Sequence, residues 1–329
     1  MIHKPTRISA NLTAIDLPSV KAEIDYFLQH RSWRPGVRMG VIFEGGALRG
    51  VVSAGYGLAL SKFVDADKLF SLYGSSSGAL NAIYFASGHL ETALKIYEEN
   101  ATDPRCTNIW KFPNVLNPDW LIDEWMFGAR KFDIDRINSL APDIWLTLTD
   151  LDTGRPHYFN AKGADPVLLR QAMKATAYAP LVSNRFQVIE GRRYGDGAIS
   201  DAIPYDKAVA DGCTHLICLL TRPAEYRKYH NALSWTLETL RLLNQTRELR
   251  DAYFARDIDY SALLDRIYVS GGPQNVPTLI VHPGSAAEAP GNLESRARVV
   301  GEKGRVAFTS ALQALQSQFS TERLVGEEV

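Results

Sequence analysis

Gly74-Ser75-Ser76-Ser77-Gly78 carries the clearest chemistry in this chain. It is a G-x-S-x-G, set between an apolar run that reads as a strand (Leu69 to Tyr73) and a small-residue stretch that reads as a buried helix (Ala79 to Ala86). In that setting the central residue sits on a strained strand-to-helix turn with its hydroxyl exposed. The flanking glycines let strand and helix approach with no Cβ between them. The spacing selects Ser76 as nucleophile over Ser75 and Ser77. The plain alternative is a serine-rich turn, because the pattern also recurs by chance.

Two further segments supply what such a serine needs. Glu44-Gly45-Gly46-Ala47-Leu48-Arg49-Gly50 follows an apolar run (Met39 to Phe43) and opens a helix. Backbone N–H groups converging there, at a helix N-terminus, suit the oxyanion of a tetrahedral intermediate. A phosphate-binding P-loop is disfavoured, since Val51 stands where lysine is required, and Ala47 breaks a dinucleotide fingerprint. Asp196-Gly197-Ala198 ends a predicted hairpin strand (Phe186 to Ile189, then Arg192 to Tyr194). Alone it reads as a turn aspartate. Beside an elbow and a glycine loop it becomes the natural base.

In this order the three segments resemble the motifs of the patatin-like phospholipase family, G-G-G-x-[RK]-G, G-x-S-x-G and D-G-[GA]. The likeness covers roughly Gly40 to Arg222 and runs more loosely through Ala175 to Pro180 and Ile203-Pro204. The resemblance implies a Ser–Asp dyad without histidine, Ser76 as nucleophile and Asp196 as proton acceptor, acting on acyl esters of lipids. It makes Gly45, Gly46, Ala47, Arg49 and Gly50 the oxyanion loop. Ala47 departs from the pattern, standing at the third glycine. The expectation is that it keeps a negative φ and tunes the hole. Arg49 has two readings of equal weight, a loop-orienting or phosphate-sensing group and a structural ion pair.

Two rivals stand beside this reading. His282, after a predicted strand, would complete the Ser…Asp…His order of a triad esterase. Ala47 is the feature in favour of a non-catalytic lipid-binding protein of the same fold. His89, His157, His215 and His230 carry no motif.

The elements that position these groups alternate. Helical spacing from Leu17 to Arg31, a buried helix from Val51 to Phe63, and strands at Ile144 to Leu148, His157 to Phe159, Leu216 to Leu220 and Thr278 to Val281 are expected. Asp165-Pro166 caps a helix running to about Ala177 and stopped by Pro180, and Arg305 to Phe319 is a closing amphipathic helix. This predicts an α/β fold with a mainly parallel central sheet, and the resemblance to the patatin-like family implies a three-layer α/β/α arrangement. Expected organisation is an N-terminal helical extension (1–37), a catalytic core (38–222) and a helical C-terminal region with a further strand (223–329).

Composition sets the remaining bounds. With 46% apolar and 22% charged residues and a formal net charge of −1, no global field recruits nucleic acid or an anionic membrane. The expected partner is a lipid or ester substrate, with transient peripheral membrane contact and no nucleic acid. The aromatic segment Trp110 to Phe127 reads more readily as core than as an acyl pocket or lipid-facing surface. Three cysteines, Cys106, Cys213 and Cys218, fit no metal spacing and no disulfide framework. No secretory signal and no membrane-spanning run is visible. The expectation is a cytoplasmic protein, peripheral at the membrane, with no metal and no organic cofactor.

Overall fold

The computed structural model describes residues 5–7, 9–111, 114–179, 183, 185–228, 242, 245–272 and 274–319. Its strands are β1 (Pro5–Arg7), β2 (Leu12–Ile15), β3 (Met39–Phe43), β4 (Ser71–Ser75), β5 (Asp143–Asp150), β6 (Pro156–Asn160), β7 (Gln187–Ile189), β8 (Arg192–Asp196), β9 (His215–Leu219) and β10 (Thr278–Val281). They form one mixed sheet in the order β1-β2-β10-β9-β3-β4-β5-β8-β7, with β6 also on β5. The five central strands, β10-β9-β3-β4-β5, pair in parallel, and the flanking pairs are antiparallel.

Side-chain alternation makes three layers. Along β3, β9 and β10 the residues Val41, Phe43, Ile217, Leu219, Leu279 and Val281 join one core, which includes residues of helices α1 (Leu17–His30), α2 (Val51–Leu60) and α3 (Ser77–Ala86). Their neighbours Ile42, Leu216, Cys218 and Ile280 point to the opposite face, against Tyr205, Tyr260 and Leu264. Strands buried on both faces must be apolar at consecutive positions, which is why these short runs are unbroken. α2 is enclosed almost entirely, and the helix Ala297–Gln318 crosses it where Gly55 meets Gly304.

Several elements depart from the sequence-based expectation. The segment 1–37, expected as an N-terminal helical extension, carries α1 and also supplies β1 and β2, because β10 offers β2 an edge that the sequence does not reveal. The strand expected over Leu69 to Tyr73 lies at Ser71–Ser75, fixed by its register on β3, from Gly40 opposite Ser71 to Phe43 opposite Gly74. α3 accordingly starts at Ser77 and not at Ala79. The closing helix begins at Ala297, a full two turns before Arg305, since Val300, Gly301 and Gly304 are buried. Asp165 caps the helix Pro166–Thr176 as expected, accepting from Val167 N–H at 2.8 Å. Pro180 lies outside the described residues. Among the described residues no helix is long and apolar enough to cross a membrane.

One feature of the register positions the site. β6 takes one edge of β5. On the other edge β4 ends with Ser75 opposite Thr147, and β8 takes over with Asp196 opposite Leu148. The end of β8 therefore arrives just beyond the end of β4.

Candidate active site

Ser76 is the turn itself. β4 ends at Ser75, α3 begins at Ser77, and Ser76 between them has φ 54° and ψ −134°. A residue with a Cβ at positive φ is strained, at about 1–3 kcal/mol, and persists only where its surroundings hold it. Here Ser76 N–H donates to Thr176 Oγ1 at 2.8 Å, and the Thr176 hydroxyl donates to Thr147 O at 2.7 Å. Gly78 is required by close approach, since a Cβ there would lie 2.2 Å from Phe43 O. The strain turns the Ser76 hydroxyl out of the elbow.

That hydroxyl meets Asp196. Ser76 Oγ donates to Asp196 Oδ2 at 3.2 Å. The other carboxylate oxygen accepts from Ala198 N–H at 2.9 Å, and the Asp196 carbonyl accepts from Thr149 Oγ1 at 2.7 Å. Gly197 lets β8 close on the elbow, because a Cβ there would lie 2.1 Å from Thr147 O. Burial pushes the Asp196 carboxyl up to about 6, against the lowering effects of the Ala198 N–H, the Ser76 hydroxyl and the charges of Arg256 and Lys228. Desolvation thus makes this carboxylate a stronger base than an exposed aspartate.

The glycine loop lies against the elbow. Gly46 N–H donates to Ser77 Oγ at 3.0 Å. Ala47 has φ 52°, which overturns the expectation of a negative φ. The cause is tertiary: Leu48 N–H donates to Asn292 O at 3.1 Å, and the buried Arg49 guanidinium donates to Asn292 Oδ1 and to Thr221 Oγ1. Arg49 is thus hydrogen-bonded within the fold, its pKa lowered to about 10 first by burial and then by the charge of Arg222. Thr221 Oγ1 donates to Gly45 O at 3.0 Å, and the buried Glu44 carboxylate accepts from Thr221 N–H and Tyr260 OH. Gly50 O accepts from Asn81 Nδ2 at 2.8 Å.

Ser76, Asp196 and the loop residues Gly45, Gly46, Ala47 and Arg49 border one cavity of about 440 Å³. Gly50 sits behind it, buried. The cavity lining includes the apolar residues Leu80, Ile96, Leu116, Leu121, Ile122 and Met126 and the cations Arg222, Lys228 and Arg256. The segment expected to be aromatic core divides. Its aliphatic residues line the cavity, Trp120 and Trp125 pack edge to face, and Trp110 is 89% exposed. Phe112 lies outside the described residues.

The structure does not bring His282 to this site. Its ring nitrogens stand 3.1 Å from Thr13 Oγ1 and 3.0 Å from Pro283 O, and it does not border the cavity. His89, His157 and His215 contact Ser87, Tyr194 and Ser19. His230 lies outside the described residues. Cys106, Cys213 and Cys218 are buried and free. Among the described residues no group of three or more His, Cys, Asp or Glu side chains could hold a metal ion. Sequence reading missed Thr176, Ser77 as a loop partner, and Asn292. Thr176 lies in the Ala175–Pro180 stretch that already matched the family loosely, whereas Asn292 sits in no motif.

The chain is 28% identical over 211 residues to the Escherichia coli (strain K12) protein YjjU, described as uncharacterized. That match covers 60% of this chain and 56% of the relative, so the chain spans little more than half the length of the curated relative it matches. The crystal structure of VipD from Legionella pneumophila aligns over 96% of this chain and 70% of its own, with 12% identity and a TM-score of 0.47. The profile of the patatin-like phospholipase family matches residues 41–209, which hold the glycine loop, the elbow and Asp196. The chain belongs to the patatin-like phospholipase family.

Proposed function

We propose that this chain is a serine acyl hydrolase cleaving carboxylic esters of lipids through Ser76 and Asp196. The observation that carries the reading is the 3.2 Å hydrogen bond from Ser76 Oγ to a desolvated Asp196, at the edge of a cavity whose lining includes apolar residues. Family membership supports lipid acyl hydrolysis as the kind of reaction.

The chemistry follows from the geometry. Ser76 Oγ attacks the ester carbonyl carbon as its proton passes to Asp196 Oδ2. Negative charge gathers on the carbonyl oxygen, beside the amides of Ala47 in the glycine loop and of Ser77 in the first turn of α3, where the helix dipole is positive, while the Gly46 N–H is held by Ser77 Oγ. Collapse breaks the carbon–oxygen bond to the alcohol, which leaves with the proton from Asp196. Water then gives a proton to Asp196 and its oxygen to the acyl-enzyme. Return of that proton to Ser76 Oγ frees the fatty acid. The carboxylate starts and ends ionised.

Contact with a lipid surface belongs to the same reading. Ile109 and Trp110 are 56% and 89% exposed in a short 3-10 turn, Ile109–Lys111, of the hairpin closed by the bridge between Thr107 and Leu116. Cys106 and Leu116, at its base, border the cavity. An exposed tryptophan suits the membrane–water interface, and the hairpin joins that interface to the cavity.

A fluorophosphonate probe, with the adduct mapped by mass spectrometry, tests the proposal. Stoichiometric adduct on Ser76 is expected. Folded protein that takes up no probe would favour the non-catalytic lipid-binding reading, whose one observation is the strained Ala47 in the oxyanion loop.

A further inference from the structure

Three of the cations that line the cavity, Arg222, Lys228 and Arg256, come from beyond β9. Each lies on a tyrosine ring: Arg222 at 4.0 Å from the centroid of Tyr226, Lys228 at 4.7 Å from Tyr260 and Arg256 at 3.5 Å from Tyr253. The carboxylates at hand are already engaged. Asp257 serves both Lys228 at 3.3 Å and Arg256 at 3.2 Å, and Glu44 serves Thr221 and Tyr260. Arg49 is committed to Thr221 and Asn292. Arg222 Nε is buried with no hydrogen-bond partner among the described residues.

These cations repel one another. The charge of Arg222 lowers the pKa of Arg49, and that of Arg256 adds to the burial that lowers Lys228. Arg256 and Lys228 also act on Asp196, so they stand within Coulomb reach of the reacting atoms. An anion among them relieves that repulsion and gives the buried Arg222 Nε an acceptor. An ammonium group would meet like charge.

We propose that Arg222, Lys228 and Arg256 form a subsite for the phosphate of a net-anionic headgroup, so that the chain selects acyl esters of glycerol phosphate or phosphoglycerol over zwitterionic and uncharged esters. The ester then lies at Ser76 with its acyl chain along Leu80, Ile96, Leu121 and Met126. The proposal rests on the serine acyl hydrolase reading, and its test separates the two.

Equilibrium binding to Ser76→Ala protein, which needs no turnover, is measured with three ligands of one acyl chain below their critical micelle concentrations: lysophosphatidic acid, lysophosphatidylcholine and monoacylglycerol. The anionic ligand should bind at least about tenfold more tightly than the other two, the scale of one charge-assisted hydrogen bond. Adding Arg222→Gln or Lys228→Gln should bring the ratio towards one, and Arg222→Lys should restore part of it in a protein of unchanged thermal midpoint. Equal binding of the three, or a preference that survives both glutamine variants, overturns the proposal. Glycerol 3-phosphate should bind far more weakly than lysophosphatidic acid; equal affinity would assign a free-phosphate site and overturn it too. If the preference is found but wild-type protein cleaves no ester, the subsite stands and the hydrolase reading fails. If esters are cleaved without headgroup preference, the reverse holds.

Discussion

Asn292 O accepts the Leu48 N–H at 3.1 Å, and the Asn292 side chain accepts from the Arg49 guanidinium. A residue beyond the family-matched span thus holds the loop that borders the same cavity as Ser76. Asn292→Ala keeps the backbone bond but leaves the buried Arg49 short of one acceptor. The expected loss is about 1–2 kcal/mol of stability, together with a fall in kcat of roughly tenfold and little change in KM, because loop amides act on the transition state. Chemical denaturation and steady-state kinetics of the variant check this. An unchanged kcat would show that this contact does not position the loop.

Ala47 gives a second test of the same loop. At φ 52° an alanine carries strain of about 1–2 kcal/mol that glycine avoids, offset by about 0.5–1 kcal/mol of extra chain entropy lost on folding. Ala47→Gly should therefore melt at or slightly above the wild-type temperature and keep its activity. Ala47→Val should lose both, since β-branched residues are poorly tolerated at positive φ. A valine variant with wild-type melting and turnover would contradict the left-handed loop.

The Asp196 carboxyl titrates at about 6 in the folded chain, against ~3.9 unfolded. As a base it must be ionised, so kcat/KM for an uncharged ester should climb with pH through about 6 and then level off. Stability moves the other way. A raised folded pKa favours the native state fully below the unfolded value, and that contribution is lost as pH rises through about 6, leaving a cost of up to about 3 kcal/mol at neutral pH. Asp196→Asn should accordingly melt above wild type at pH 8 and match it near pH 4, with little activity at either. Paired melting curves at the two pH values measure it; a lower melting temperature for the variant at pH 8 would contradict the desolvated carboxylate.

Trp110 should anchor the chain to lipid. Trp110→Ser is expected to weaken sedimentation with phosphatidylglycerol vesicles by roughly tenfold, the scale of burying one large ring. Hydrolysis of a short monomeric ester should change much less. Equal vesicle binding by wild type and variant would show that this turn of the hairpin does not enter the bilayer surface.

The elbow and the aspartate were legible because each is a local constraint written in adjacent residues. Glycine is needed at Gly78 and Gly197, where the backbone of Phe43 and Thr147 comes too close for a Cβ. What brings them together was not legible, because the handover on β5 from Ser75 opposite Thr147 to Asp196 opposite Leu148 is a pairing register. The φ of Ala47 failed for a related reason: its neighbours are held by Asn292, a contact no periodicity announces. Tyrosine faces group the cations Arg222, Lys228 and Arg256, which no motif joins in sequence.

Hydrolysis of a short p-nitrophenyl ester by purified Ser76→Ala decides whether Ser76 is the nucleophile. Ser75 is wholly buried and Ser77 Oγ is bound to Gly46, so neither can take over the attack. Turnover should fall to the uncatalysed background in Ser76→Ala, with a melting temperature close to wild type, while Ser75→Ala still hydrolyses the ester. Full activity in folded Ser76→Ala protein would contradict the nucleophile assignment.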